Sequence, residues 1–163
     1  MKVLVTAASR HGATQEIAEA IGRTLSDRGV AVSVVPISDV TDLDGYDAVV
    51  VGSAVYVGQW LESARTFAER FSVPLSSRPT WLFSSGPIGD PPRPKESEAV
   101  DVDEIVSNTQ AKEHHLFAGK LDKSKLGFGE RAVMLAFRAV EGDYRDWSEI
   151  EAWASSIVEE LRP

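Results

Sequence analysis

The chain reads as an α/β protein: a doubly wound, five-stranded parallel sheet in the order 2-1-3-4-5, with an insertion before the last helix. Three observations predict it. Apolar runs alternate with helical periodicities along most of the 163 residues. The central run, Tyr46 to Gly52 with its core AVVV, lacks polar alternation, as strands covered by helices on both faces do. The first strand passes through a loop of small and hydroxyl residues straight into a helix, the strand–turn–helix step from which right-handed parallel crossovers are built.

Each element has its own signal. Val3 to Ala7 is the first strand. Ile17, Ala18, Ile21 and Leu25 recur at three- and four-residue spacing on one helical face, and Gly29 ends that helix. Val30 to Val35 is a β-branched run, and the polar connection SDVTDLDG leads to the third strand at 46–52. After Trp60, the residues Leu61, Ala64, Phe67, Ala68 and Phe71 form a helical stripe, followed by PTWLFS at 79–84 as the fourth strand. KESEAVDVDEIVSNT suggests a helix and HHLFAG at 114–119 the fifth strand. The closing helix starts at a capping-box-like Asp146 and Glu149, with Trp147, Ile150, Trp153, Ile157 and Leu161 along one face. The expected organisation is one domain over 1–163, interrupted by an insertion at 121–145. Phe128, Val133, Met134, Leu135 and Phe137 give that insertion more apolar surface than a solvated connection needs. An extra packed helix, a lid, a docking face and a subunit contact are all open for it.

Composition narrows the chemistry. The absence of cysteine removes disulfides, thiol catalysis and Cys-based zinc sites. No signal-peptide pattern precedes the first strand, and no apolar run approaches the roughly 18 to 20 residues of a membrane span. The expectation is a soluble, cytoplasmic protein, with peripheral membrane contact left open. A net charge of −8 argues against a nucleic-acid partner, which needs a basic face.

The most informative stretch is VLVTAASRHGAT, from Val3 to Thr14. Ser9 and Thr14 hydroxyls, together with N–H groups at a helix start, suit a phosphate dianion, and Gly12 allows close backbone approach. The spacing Ser-x-x-Gly-x-Thr is neither a dinucleotide GxGxxG fingerprint nor a GxxxxGK[ST] loop. It resembles the FMN-phosphate loop of flavodoxins. Arg10, His11 and Ala13 depart from the commonest flavodoxin form, and the variant is similar to that of the flavodoxin-like protoporphyrinogen oxidase group of bacteria.

Two further loops belong at the same sheet edge, where a doubly wound sheet binds its ligand beside strands one and three. They are Ser53-Ala54-Val55-Tyr56-Val57-Gly58-Gln59-Trp60 and Ser84-Ser85-Gly86-Pro87-Ile88-Gly89-Asp90. Tyr56 and Trp60 either cover a ring face or pack into the fold, Trp60 against the helix it opens; Gly58, Gly86 and Gly89 permit main-chain approach. With the late FxGKLD and GDYRDW segments, these loops resemble flavodoxin-domain proteins related to the same oxidase group, over nearly the whole chain. The resemblance implies FMN as cofactor and a flavodoxin-like fold. It implies that Ser9, Arg10, His11, Gly12, Ala13 and Thr14 hold the phosphate, with Thr6 counted among the cofactor-binding residues. It further implies that Ser53, Ala54, Val55, Tyr56, Val57 and Gly58 line the ring, and that Ser84, Ser85, Gly86, Pro87, Ile88 and Gly89 close its other side. The third loop lacks a stacking aromatic, which leaves one ring face open to a substrate.

Other chemistry is poorly represented. His114 and His115 are adjacent on a strand and point to opposite faces, so no metal site is expected, and His11 reads as a loop donor to phosphate. No Gly-x-Ser-x-Gly elbow is present. The acidic run Asp90 to Glu104 reads as a solvated surface or a partner-docking face. Lys112, Lys120, Lys123, Lys125 and Arg131 after it either attract an anionic substrate or are merely solvated. The leading expectation is an FMN-dependent oxidoreductase passing electrons from a reduced donor to a second acceptor, with a quinone-linked or protoporphyrinogen-oxidase-like activity implied by the resemblance. No side chain is assigned as a catalytic acid or base, since the flavin does the chemistry. The acidic balance should push the flavin's last reduction to lower potential. The alternatives are a flavodoxin-type electron carrier that docks protein partners, and an FMN-binding module without turnover. A small-molecule or protein redox partner is expected, and a homo-oligomer is left open.

Overall fold

The structure, a computed structural model, describes residues 1–86, 100–121, 127 and 142–163. Pro87, Ile88 and Gly89 of the third loop, most of the 121–145 insertion and most of the acidic run from Asp90 lie outside the described residues.

In chain order the elements are β1 (Lys2–Ala8), α1 (Ala13–Asp27), β2 (Ala31–Pro36), β3 (Ala48–Tyr56), β4 (Gln59–Trp60), α2 (Glu62–Arg70), α3 (Ser72–Ser76), β5 (Thr80–Ser85), α4 (Asp103–Thr109), β6 (Glu113–Phe117), β7 (Lys120–Leu121), β8 (Gly142–Asp143) and α5 (Trp147–Leu161). The main sheet runs β2-β1-β3-β5-β6, all parallel, so its five long strands have the expected 2-1-3-4-5 order. The short β4 is added antiparallel on the end of β3, and β7 pairs with β8 in a separate two-stranded ribbon.

Side-chain alternation divides the core between the two faces of the sheet. Val3, Val5, Val50, Trp81 and Phe83 pack beneath α1 and α5, against Ile17, Ile21, Leu25, Ile150, Trp153 and Ile157. Leu4, Val49, Val51, Leu82 and Leu116 pack on the other face, against Ala64, Phe67, Leu75, Val100 and Val102. The central strands are therefore apolar on both faces, which explains why β3 and β5 show no alternation in sequence.

Three elements differ from expectation. Strand β3 continues past Gly52 to Tyr56, because Ser53 and Ala54 find ladder partners in Ser84 and Ser85. Trp60 does not open a helix; it stands on β4, 2% exposed, and α2 begins at Glu62. Trp147 is 37% exposed and outside the core that Ile150, Trp153 and Ile157 enter; at the helix start its ring meets the Arg145 guanidinium instead. Of the helix suggested at 95–109, the described part forms over Asp103–Thr109.

Gly52 shows how tightly this sheet is packed. A Cβ there would lie 2.1 Å from Cζ of Phe83, a fully buried ring. Gly52→Ala is expected to destabilise the fold by about 1 to 3 kcal/mol through overpacking, measured by urea unfolding at constant m-value; an unchanged midpoint would show that the ring has room to move.

Candidate functional site

Winding reverses at β1: the chain leaves it toward β2 on one side and later returns as β3 on the other. Ladder register places Ala8, Ser53, Ser84 and Leu116 in one row across the sheet, and the candidate loops leave just beyond that row. A crevice at such a reversal, at the carboxyl ends of the strands, is where open α/β sheets bind ligands.

The first loop is held by its own side chain. Ser9 Oγ accepts the Gly12 N–H at 3.0 Å, and Gly12 takes φ 91, a left-handed conformation favourable to glycine. From there the helix starts abruptly, with Glu16 N–H donating to the Gly12 carbonyl at 3.1 Å. No side chain caps α1, whereas α5 is capped by Asp146, which accepts the Glu149 N–H. The space a Cβ of Gly12 would fill is open, with no heavy atom of the described residues beyond its chain neighbours within 4 Å. An uncapped helix start facing open space, with Thr14 buried at its first turn, fits an anionic group such as a phosphate. Arg10 is exposed, and Ser9, His11 and Ala13 are half-buried around this opening. Thr6 lies deeper on β1; its buried hydroxyl has no hydrogen-bond partner among the described residues.

The second loop is a tight hairpin rather than an open loop. Val55 pairs with Trp60 and Tyr56 with Gln59, leaving Val57 and Gly58 at the tip with φ 51 and 74. Positive φ at both tip residues is what a two-residue hairpin requires. For the β-branched Val57 this conformation is strained, and its side chain is 58% exposed. The Gly58 carbonyl accepts the Asp101 N–H at 2.8 Å, which anchors the tip to the segment entering α4. The Arg10 guanidinium lies 4.7 Å from the Tyr56 ring centroid, so a cation–π contact joins the first loop to the second.

Ser53, expected to line the ring, and Ser84, expected to close its other side, turn their hydroxyls inward. Ser53 Oγ accepts the Leu61 N–H at 3.0 Å and donates to the Ala54 carbonyl at 2.8 Å. Ser84 Oγ accepts Trp60 Nε1–H at 2.7 Å and lies 2.6 Å from His114 Nε2. These bonds fix the hairpin and the end of β5, so what either serine presents to a ligand is backbone. Trp60 is committed to that buried network, and Tyr56, half-buried, is the aromatic that the hairpin leaves beside the opening. Ser85 is buried next to Gly86, whose N–H donates to the Phe117 carbonyl at 2.9 Å. A Cβ on Gly119 would come within 3.1 Å of Gly86 Cα, so glycine at 119 lets the loops after β5 and β6 touch.

His115 points to the opposite face from His114, as expected for neighbours on a strand. Its Nε2 lies 2.8 Å from Glu149 Oε1, and its ring packs against Phe117 at 4.4 Å. No cluster able to hold a metal ion exists among the described residues. No helix of the described residues is long and apolar enough to cross a membrane.

Residue-type reasoning assigned no role to Arg145, although the structure sets it against the first loop's helix. Its side chain is 4% exposed. It makes a two-pronged ion pair with Asp143, Nε to Oδ1 at 2.9 Å and NH2 to Oδ2 at 2.7 Å. NH1 donates to the Ala13 carbonyl at 3.3 Å and lies 3.6 Å from Glu16 Oε2. The guanidinium also sits over Trp147 at 4.7 Å, which explains that tryptophan's place outside the core. The hydrogen bond from Arg145 holds the Asp143 carboxyl below its ordinary value, and Asp143 with Glu16 raises Arg145. The signal available in the sequence was the Asp-x-Arg spacing in GDYRDW, which brings the pair together across one residue. A groove between α1 and α5 shares Glu16 and Trp147 with the Arg145 contacts and is further lined by Glu19, Asp27 and Glu151 with Arg23 and Arg28, a mainly acidic wall unsuited to a phosphate.

The model of the flavodoxin domain family matches residues 4–148. Protoporphyrinogen IX dehydrogenase [quinone] of Escherichia coli (strain K12) is 21% identical over 172 residues, covering 97% of this chain and 95% of that protein. Among solved structures, Flavodoxin 1 from Bacillus cereus superposes with TM-score 0.67 at 18% identity, over 99% of this chain and 100% of that one. The rubredoxin oxygen:oxidoreductase of Desulfovibrio gigas gives TM-score 0.66 at 13% identity; this chain, 98% covered, spans 36% of that longer protein. The match across most of its length shows that this chain belongs to the flavodoxin domain family, and FMN is the cofactor that membership carries.

Proposed function

We propose that the chain is an FMN-dependent oxidoreductase that takes electrons from a reduced donor and passes them to a second acceptor. The observation that carries this reading is the cradle at Ser9–Thr14: an uncapped helix start, a left-handed Gly12 and open space in front of it. In this reading the N–H groups of the first turn of α1 and the Ser9 and Thr14 hydroxyls hold the phosphate, with Arg10 and His11 flanking it. Tyr56 and the backbone of Ser53–Gly58 border the flat ring on one side. The backbone of 84–86 borders the other, and the sequence 84–89 contains no aromatic residue to cover the ring. Bound FMN supplies hydride and single-electron chemistry through its ring system. The protein's part is to bind, orient and tune; no side chain is assigned a proton-transfer step.

A quinone acceptor and a porphyrinogen-type donor are the finer proposal, supported by the likeness over 97% of the chain to a protein named protoporphyrinogen IX dehydrogenase [quinone]. Residues 1–163 act as a single flavodoxin-like domain with an insertion at 121–145, and the proposed location is cytoplasmic. The second reading is an electron carrier that docks protein partners. The net charge of −8 and the likeness to flavodoxins of full matching length favour it.

Two measurements test these readings. Thr14→Glu puts a carboxylate at a 2% exposed position of the cradle and is expected to abolish FMN retention, with thermal unfolding recorded alongside to register the cost of burying it; unchanged affinity would remove the site assignment. Stepwise anaerobic reduction of the FMN-loaded wild type separates the readings: one two-electron step supports the enzyme, two resolved one-electron steps support the carrier, and failure to retain FMN defeats both.

A further inference from the structure

We infer that Arg145 is a positioning residue that makes the cradle selective for a phosphorylated flavin, an inference that rests on the FMN reading above. Glu16 is in the first turn of α1, one turn from the proposed phosphate position. A carboxylate there stabilises a bare helix start but repels a dianion bound to it. Arg145 answers that charge at 3.6 Å, and it grips the same turn through the Ala13 carbonyl. Asp143 fixes the guanidinium in plane through two hydrogen bonds, and Trp147 covers its face. The guanidinium thus has four partners from two regions of the chain and little freedom to swing away. The guanidinium is 4% exposed and held in place, while Glu16 is 54% exposed, so solvent screens this pairing from the Glu16 side.

The clamp also ties the first loop to the rest of the sheet edge. Tyr144 N–H donates to the Gly119 carbonyl at 3.1 Å, and Gly119 packs against Gly86 of the third loop. Asp143 and Lys120 face each other in the β7–β8 ribbon. Segment 142–147 therefore spans from the end of β6 to the start of α1, and Arg145 is its contact at the cradle end. Loss of the guanidinium leaves Glu16 without this cationic partner, while Asp143 keeps Lys120 opposite it and the bond from the residue-145 N–H.

The test compares dissociation constants for FMN and riboflavin, which differ only in the phosphate. Arg145→Gln is expected to weaken FMN by about ten-fold or more while riboflavin changes little. Glu16→Gln, which keeps Arg145 and its bonds to Asp143, is expected to raise the preference for FMN by a few-fold, and Arg145→Gln/Glu16→Gln to recover much of the loss. Parallel weakening of both flavins in Arg145→Gln would show a merely structural part and overturn the inference. If Arg145→Gln does not fold, Glu16→Gln decides: an unchanged FMN-to-riboflavin ratio overturns it. A wild type that binds neither flavin defeats the reading of the site itself, which is distinct from a wild type that prefers FMN and variants that keep that preference.

Discussion

Strand β1 is hydrogen-bonded to β2 on one side and β3 on the other, and that double pairing sets the position of everything functional in the molecule. With its neighbours leaving in opposite directions, the carboxyl end of β1 is crossed by no connection among the described residues, and the loop after Ala8 opens there. The chain reverses there within Ser9–Gly12, which Gly12 permits by its left-handed backbone and Ser9 fixes by accepting the Gly12 N–H. The helix that follows is held down by Ile17, Ile21 and Leu25 on the sheet, so its unsatisfied amides are aimed by core packing and not by the loop. A binding site placed by a buried core has its geometry set before any ligand arrives, which lowers the ordering cost of binding.

Electrostatics works against the fold's overall balance. An acidic protein with net charge −8 offers a poor general field for a phosphate, so attraction must come from local dipoles and a few well-placed cations. Arg10 follows Ser9 in the first loop and lies over Tyr56, and Arg145 is locked to Asp143 and Glu16. The hydrogen bonds of Ser53, Trp60, Ser84 and His114 lie beneath the second and third loops and hold the row on which those loops stand. Polar groups at this edge are thereby divided between those that support the loops and those left to meet a ligand.

The fold was legible because periodicity reports burial directly. Unbroken apolar runs marked the central strands, and three- and four-residue spacing marked α1, α2 and α5. The proposed cradle carries a different kind of signal: Ser9, Gly12 and Thr14 are residue types suited to a tight turn and an anion at a helix start. What escaped depended on pairing at a distance. The hairpin at Val57–Gly58 is invisible to propensity because a valine stands at a left-handed position. Trp60 carries no sign in sequence that it will bond Ser84, twenty-four residues on. The part of Arg145 follows from a contact with Ala13 across 132 residues, which no local pattern encodes.

The central claim is that the first turn of α1 is an anion cradle for a flavin phosphate. Amide chemical shifts of isotope-labelled protein, followed as FMN is added, test it most directly. The account predicts that the largest shifts fall on the amides of Gly12, Ala13, Thr14 and Gln15, with Gly58 and Gly86 following. Shifts confined to the groove between α1 and α5, around Glu19, Arg23 and Glu151, with the Gly12–Gln15 amides unmoved, would contradict it.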